Sequence, residues 1–159
     1  MNKWVKRIIY VLVLLGVGAL VTYGSYYYSK KYVKDAEVKV VFEDSKSYVI
    51  PEVSELSEEE ALKQWPYIMH FENTGKREAK FDLVIKDVDG DIKRDNLSYI
   101  LLLNDKKVID GELSKIKNNV IYSGSIKAKE KQDYKLYVWV NKKVEGTKYE
   151  YSISLNFTK

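Results

Sequence analysis

The chain has 159 residues, 45% of them hydrophobic and 31% charged, with a formal net charge of +4. Beyond any membrane segment this is one ordinary domain, and the absence of cysteine excludes disulfides, thiol nucleophiles and lipid attachment through sulfur. Without Lys3, Lys6 and Arg7, 24 basic residues face 23 acidic ones, a balance that argues against a nucleic-acid platform.

In chain order, residues 1–7 form a basic tail and residues 8–28 the only long run without a charged side chain. As a helix rising about 1.5 Å per residue, that run covers roughly 30 Å, the hydrocarbon thickness of a bilayer. A helix also satisfies its own backbone polar groups in lipid. Trp4 and Tyr10 mark one end, and Tyr23, Tyr26, Tyr27 and Tyr28 the other, as aromatic belts at headgroup depth do. Lys30, Lys31 and Lys34 balance the basic tail, so orientation rests on the character of the C-terminal domain. The expectation is a single-pass signal anchor over 8–28, cytoplasmic residues 1–7, a juxtamembrane linker over 29–36 and an extracellular domain over 37–159. Val17 and Ala19 have the spacing that signal peptidase accepts, but the apolar run continues past them, and the anchor is read as uncleaved.

After residue 36 the dominant signal is alternation with period two. It predicts strands at residues 38–42, 67–72 and 80–86, then at the nearly all-apolar Leu97 to Leu103. Further strands are predicted at Val108 to Leu113, Val120 to Ile126, Tyr134 to Val140 and Tyr149 to Phe157. Turn chemistry separates them at Asn73-Thr74-Gly75-Lys76, Asp89-Gly90, Asn104-Asp105, Asn118-Asn119 and Glu145-Gly146. One short helix is predicted over 57–64, where Ser57 and Glu60 fit a capping box and Pro66 ends the run. The fold class is all-β: an antiparallel two-sheet sandwich of about eight strands, jelly-roll or immunoglobulin-like, behind one N-terminal transmembrane helix.

Candidate chemistry is sparse. His70 is the only histidine and shares a strand face with Glu72, so a helical zinc site with two histidines is excluded and a strand histidine remains. Asp87, Asp89 and Asp91 place hard oxygen donors at alternating positions, as calcium requires. They depart from the EF-hand, with Ile92 where glycine belongs and Ser98 in place of the bidentate glutamate, and a turn at Asp89-Gly90 explains the same residues. No nucleophile elbow is present, and Glu58, Glu59 and Glu60 read as the solvated face of the short helix. No catalytic, cofactor or metal residue is assigned. Lys127, Lys129 and Lys131, with Lys142 and Lys143, are candidates to meet anionic wall polymers or headgroups, or serve loop solubility. Tyr137 and Trp139 lie opposite Leu136 and Val138, on a face that is either a binding patch or a second buried side.

The segment Trp65-Pro66-Tyr67-Ile68-Met69-His70-Phe71-Glu72-Asn73-Thr74-Gly75, the strand Leu97 to Leu103 with Asn104, Gly111-Glu112-Leu113, and the strand Tyr134 to Val140 together carry a resemblance. Across residues 38–157 the chain resembles the exported β-sandwich domains of the TasA and camelysin type from low-GC Gram-positive bacteria. The resemblance implies a sandwich at the cell surface, in a group whose roles include biofilm-matrix fibres. The functional expectation is a non-enzymatic, membrane-anchored module for protein binding, adhesion or matrix assembly. It would touch the lipid bilayer through residues 8–28 and a protein partner or second copy through the domain, with no cofactor and no nucleic acid. The alternative is an accessory subunit of a secretion or conjugation complex, with a surface hydrolase third.

Overall fold

A computed structural model of the chain describes residue 4, residues 38–42 and residues 47–158. The expected anchor over 8–28 and linker over 29–36 lie outside the described residues. No helix among the described residues is long and apolar enough to cross a membrane.

The described residues form nine strands: β1 (Val38–Phe42), β2 (Tyr48–Val49), β3 (Tyr67–Asn73), β4 (Ala79–Gly90), β5 (Leu97–Leu103), β6 (Lys106–Glu112), β7 (Val120–Ile126), β8 (Lys131–Val140) and β9 (Tyr149–Thr158). They form a five-stranded sheet ordered β1-β3-β8-β5-β6 and a four-stranded sheet ordered β2-β9-β4-β7, antiparallel throughout. Nine strands stand where about eight were expected, because β2 is two residues long and leaves no periodic trace.

Strands β3, β4, β5, β8 and β9 bury a row each in a core shared by the two sheets. Tyr67, Met69 and Phe71 of β3, Tyr134 and Leu136 of β8, and Leu97, Tyr99 and Leu101 of β5 meet Phe81, Leu83 and Ile85 of β4 and Tyr151 and Ile153 of β9. The Phe71 ring stands edge-on to Phe81 at 5.2 Å and tilted against Tyr134 at 4.8 Å, the offset and T-shaped contacts that aromatic quadrupoles favour. At the other end Tyr48, Tyr67, Tyr149 and Tyr151 form a second ring cluster. Leu97 to Leu103 is covered on both sides as its composition predicts: Ile100 points away from the main core yet is 1% exposed, packed with Trp139 and Ala61.

The pairings are nested. β5 pairs with β6, β4 with β7, β3 with β8 and β2 with β9, as in one long hairpin wound around itself. One end of the sandwich, here the base, carries the β3–β4 turn (74–78), the β7–β8 turn (127–130) and the start of β1, where Val38 pairs with Asn73. The opposite end, the top, carries residues 91–96, 113–119 and 141–148.

Asn73 holds the base together. It is fully buried, donating from Nδ2 to the carbonyls of Arg77 (2.6 Å) and Ile126 (3.0 Å) and accepting the Gly75 N–H at Oδ1 (2.9 Å). Its carboxamide thus closes the β3–β4 turn as an Asx turn and ties it to β7.

Three boundaries correct the sequence reading. β4 runs to Gly90, so Asp87 and Asp89, expected at a turn, are strand residues beside β9, with a bulge at Val88. β8 begins three residues earlier than its apolar row. Helix α1 is only Glu58–Ala61, with the expected capping box at Ser57 and Glu60, because Leu62 to Gln64 continue as turn.

Candidate functional site

Three features of the surface carry polar or exposed apolar groups together: the outer face of the five-stranded sheet, the acidic run at the top, and the free side of β9.

The outer face divides in two. Over its upper half the segment between β2 and β3 lies across the sheet. The Leu56 N–H donates to Val140 O (2.9 Å), α1 sets Ala61 over Ile100 and Trp139, and Lys107 of β6 binds Glu58 at 3.0 Å. Trp139 is therefore 7% exposed and belongs to a satellite core, while Tyr137 beside it is half-buried. Of the two readings for this face, burial holds at Trp139. The exposed aromatic is instead Trp65, 80% exposed, whose carbonyl accepts the Tyr48 hydroxyl. Sequence reasoning assigned Trp65 no binding role; a tryptophan just before a Pro-initiated strand was its only signal.

On the lower half lies an open groove of about 310 Å³ lined by Ile68, His70, Asn104, Asp105, Asp133 and Lys135. His70 Nδ1 is 2.6 Å from Asp133 Oδ1, a partner placed opposite it by the β3–β8 register. Glu72, the neighbour expected for His70, instead faces Lys131 at 3.4 Å. Asn104 and Asp105 both have positive φ, the two-residue turn that an antiparallel hairpin favours, and Asn104 Oδ1 accepts the Asp133 N–H at 3.0 Å. Lys135 reaches Asp105 at 2.6 Å, and that hydrogen bond raises its pKa. The groove thus pairs its charges internally. No serine or threonine hydroxyl lines it, and the His70–Asp133 and Lys135–Asp105 pairs are exposed, where solvent screens them.

At the top the three aspartates diverge. Asp87 takes Arg94 Nε at 2.9 Å and the Tyr149 hydroxyl. Asp89 takes Lys148 Nζ at 2.9 Å, whose hydrogen bond is the main cause of its lowered pKa. Asp91 accepts the N–H groups of Lys148 (2.9 Å) and Thr147 (2.8 Å), which hold its carboxyl below the ordinary range. Burial and the Asp87 contact push the Tyr149 hydroxyl in the opposite direction. Each carboxylate is spent on a different protein donor, and among the described residues no three His, Asp or Glu side chains gather in a metal-holding arrangement. Lys142 and Lys143 belong to this end, so the structure separates them from Lys127, Lys129 and Lys131 at the base.

The third feature is a strand edge. β9 pairs with β4 along its whole length but with β2 only at Tyr151 and Glu150. Tyr149 O accepts the Ile50 N–H, so by strand alternation the backbone groups of Ile153, Leu155 and Phe157 point to that same side. Among the described residues no strand pairs with them there. From Ser152 to Thr158 this edge carries no charge and no proline, and Phe157 is 54% exposed. Natural edges are usually blunted by such residues; β6, at the edge of the other sheet, has Lys106 and Lys107.

No family model matches the chain, and no curated protein matches it in sequence.

Proposed function

We propose that this chain is a jelly-roll module, held at the outer face of the cell membrane by a helix over residues 8–28, that binds proteins or further copies of itself without catalysing a reaction. The nested pairing of β2 to β9 supports the jelly roll, since two interlocked Greek keys give that order. The observation that carries the binding role is the uncharged β9 edge, whose outward backbone groups accept an added strand and whose Phe157 offers an anchor beside it.

The test is a photo-crosslinking residue at position 157 of the full-length protein on intact cells, with protease shaving to establish that the domain is outside. Crosslinks to a surface protein or to a second copy are expected. They should vanish with Leu155→Pro, which removes an N–H on the open side while leaving the β4 ladder intact. Crosslinks only to an integral membrane complex favour the accessory-subunit reading. An unreactive position 157, or protection from protease until lysis, overturns the proposal.

A further inference from the structure

β9 keeps one unbroken register with β4 from Ser152, opposite Lys86, to Thr158, opposite Lys80, while β2 closes its free side at Tyr151 and Glu150. The open stretch is therefore 152–158, and its middle residue is Leu155. β7, the other edge of this sheet, is also uncharged, but there Leu83 pairs with Tyr122 and Val84 with Val120, so a bulge at Ile121 breaks the register. Bulges are one of the devices that turn an edge away from pairing.

The open stretch of β9 also matches itself when turned end for end. A second copy laid antiparallel with Leu155 on the two-fold axis sets Ile153 against Phe157, Leu155 against Leu155 and Phe157 against Ile153. These are the residues whose backbone groups point outward, and each pair would exchange two hydrogen bonds, as antiparallel ladders do. Sliding the second copy by two residues one way runs Phe157 into the place that β2 holds at Tyr151; sliding it the other way sets Ile153 against the terminal Lys159. On the inner face the exposed Phe157 ring is covered by Ile153 of the second copy, an aromatic and β-branched pair of the favourable kind. On the outer face Ser154 meets Asn156. The Ser154 hydroxyl is buried without a hydrogen-bond partner in the single chain, and Asn156 is exposed, so the carboxamide of a second copy supplies the missing partner.

We infer that the occupant of the β9 edge is the β9 edge of a second copy, antiparallel about a two-fold axis at Leu155, so that two four-stranded sheets join into one. This rests on the strand-addition reading of that edge proposed above. A two-fold contact uses up both edges, so this pairing stops at a dimer and does not extend into a fibre. The open stretch runs toward the base, where β1 enters at Val38, so the pair brings both points of chain entry toward the axis and sends the two tops to the far ends. A strand edge alone is a small interface, weak in dilute solution and favoured where two copies are held on one membrane.

The chain has no cysteine, so introduced thiols pair only with each other. Full-length Ser154→Cys and Asn156→Cys proteins, carrying tags of different size, are co-expressed and oxidised in a detergent-free lysate. In the two-fold register positions 154 and 156 face each other with Cα atoms about 4.5 Å apart, within disulfide reach, whereas two copies of either variant meet only on a diagonal of about 7–8 Å. The mixed dimer should exceed either same-variant dimer by at least about tenfold. Leu155→Lys in both partners sets two ammonium groups opposite each other on the axis and should abolish it. Leu155→Lys in one partner and Leu155→Glu in the other should restore it, which a misfolded variant would not do. Same-variant dimers as abundant as the mixed one, persistence with Lys in both partners, or failure of the Lys and Glu combination each overturn the inference. Absence of any disulfide, with position 157 photo-crosslinking to a different protein, overturns it while the binding role of the edge stands. Absence of any disulfide with position 157 unreactive brings down both.

Discussion

Asn73→Ala is the most revealing single change, because one side chain with no exposed surface makes three hydrogen bonds. Alanine leaves the buried Gly75 N–H and the Ile126 carbonyl without their partner. Each such orphan costs about 1–3 kcal/mol, or about 2–6 kcal/mol together. The turn borders solvent at Lys76, so water relieves part of this, and a loss of about 3 kcal/mol is expected. Against a domain stability of about 5–15 kcal/mol that is a large fraction. With a urea slope of about 1–3 kcal/mol per molar, the midpoint should fall by about 1–3 M. Tryptophan fluorescence of the full-length protein in detergent reads the transition. Asn156→Ala, at an exposed position, should stay within about 0.5 kcal/mol and serves as the comparison. An Asn73→Ala midpoint no lower than that of Asn156→Ala refutes the claim that this carboxamide holds the base.

Two further outcomes concern the satellite core and the top of the sandwich. Trp139→Ala should cost about 3–5 kcal/mol by emptying the satellite core, whereas Trp65→Ala should cost under about 1 kcal/mol and remove the most acrylamide-accessible emission from the domain. The Asp91 carboxyl is held below its ordinary pKa in the folded state by the Lys148 and Thr147 N–H groups, so its contribution to stability is present above the unfolded value and is lost as pH falls through the folded one. The urea midpoints of wild type and Asp91→Asn should therefore differ at neutral pH and converge under acid; a gap that stays constant from neutral to acid pH would refute the assignment.

Most strands were legible because a half-buried strand writes its two faces into alternate residues, as in Tyr67, Met69 and Phe71 against Ile68, His70 and Glu72. The limits have physical causes. β2 is too short to alternate. The last third of β4 is exposed and charged, since its ladder with β9 extends past the covered core, so Asp87 and Asp89 look like turn residues while their backbones are paired. The partner of His70 is set by register with a strand 63 residues away, which local spacing cannot convey. Alternation alone leaves the Trp139 face open between a binding patch and a second buried side; α1 decides it by lying over that face, and the covering segment announces itself only by the Ser57 and Glu60 cap.

The nested pairing has a consequence for how the chain is made. The β5–β6 hairpin can form as soon as it emerges, being joined by the two residues Asn104 and Asp105. β2 pairs only with β9, about a hundred residues later, so its closure is the longest-range step and entropically the costliest to reach. β9 is moreover an inner strand of its sheet, between β2 and β4. Until the ribosome has released the last ten residues of this sandwich, one of its two sheets lacks an inner strand, and Phe81, Leu83 and Ile85 of β4 wait without the β9 residues that pair with them, β7 alone lying beside their strand.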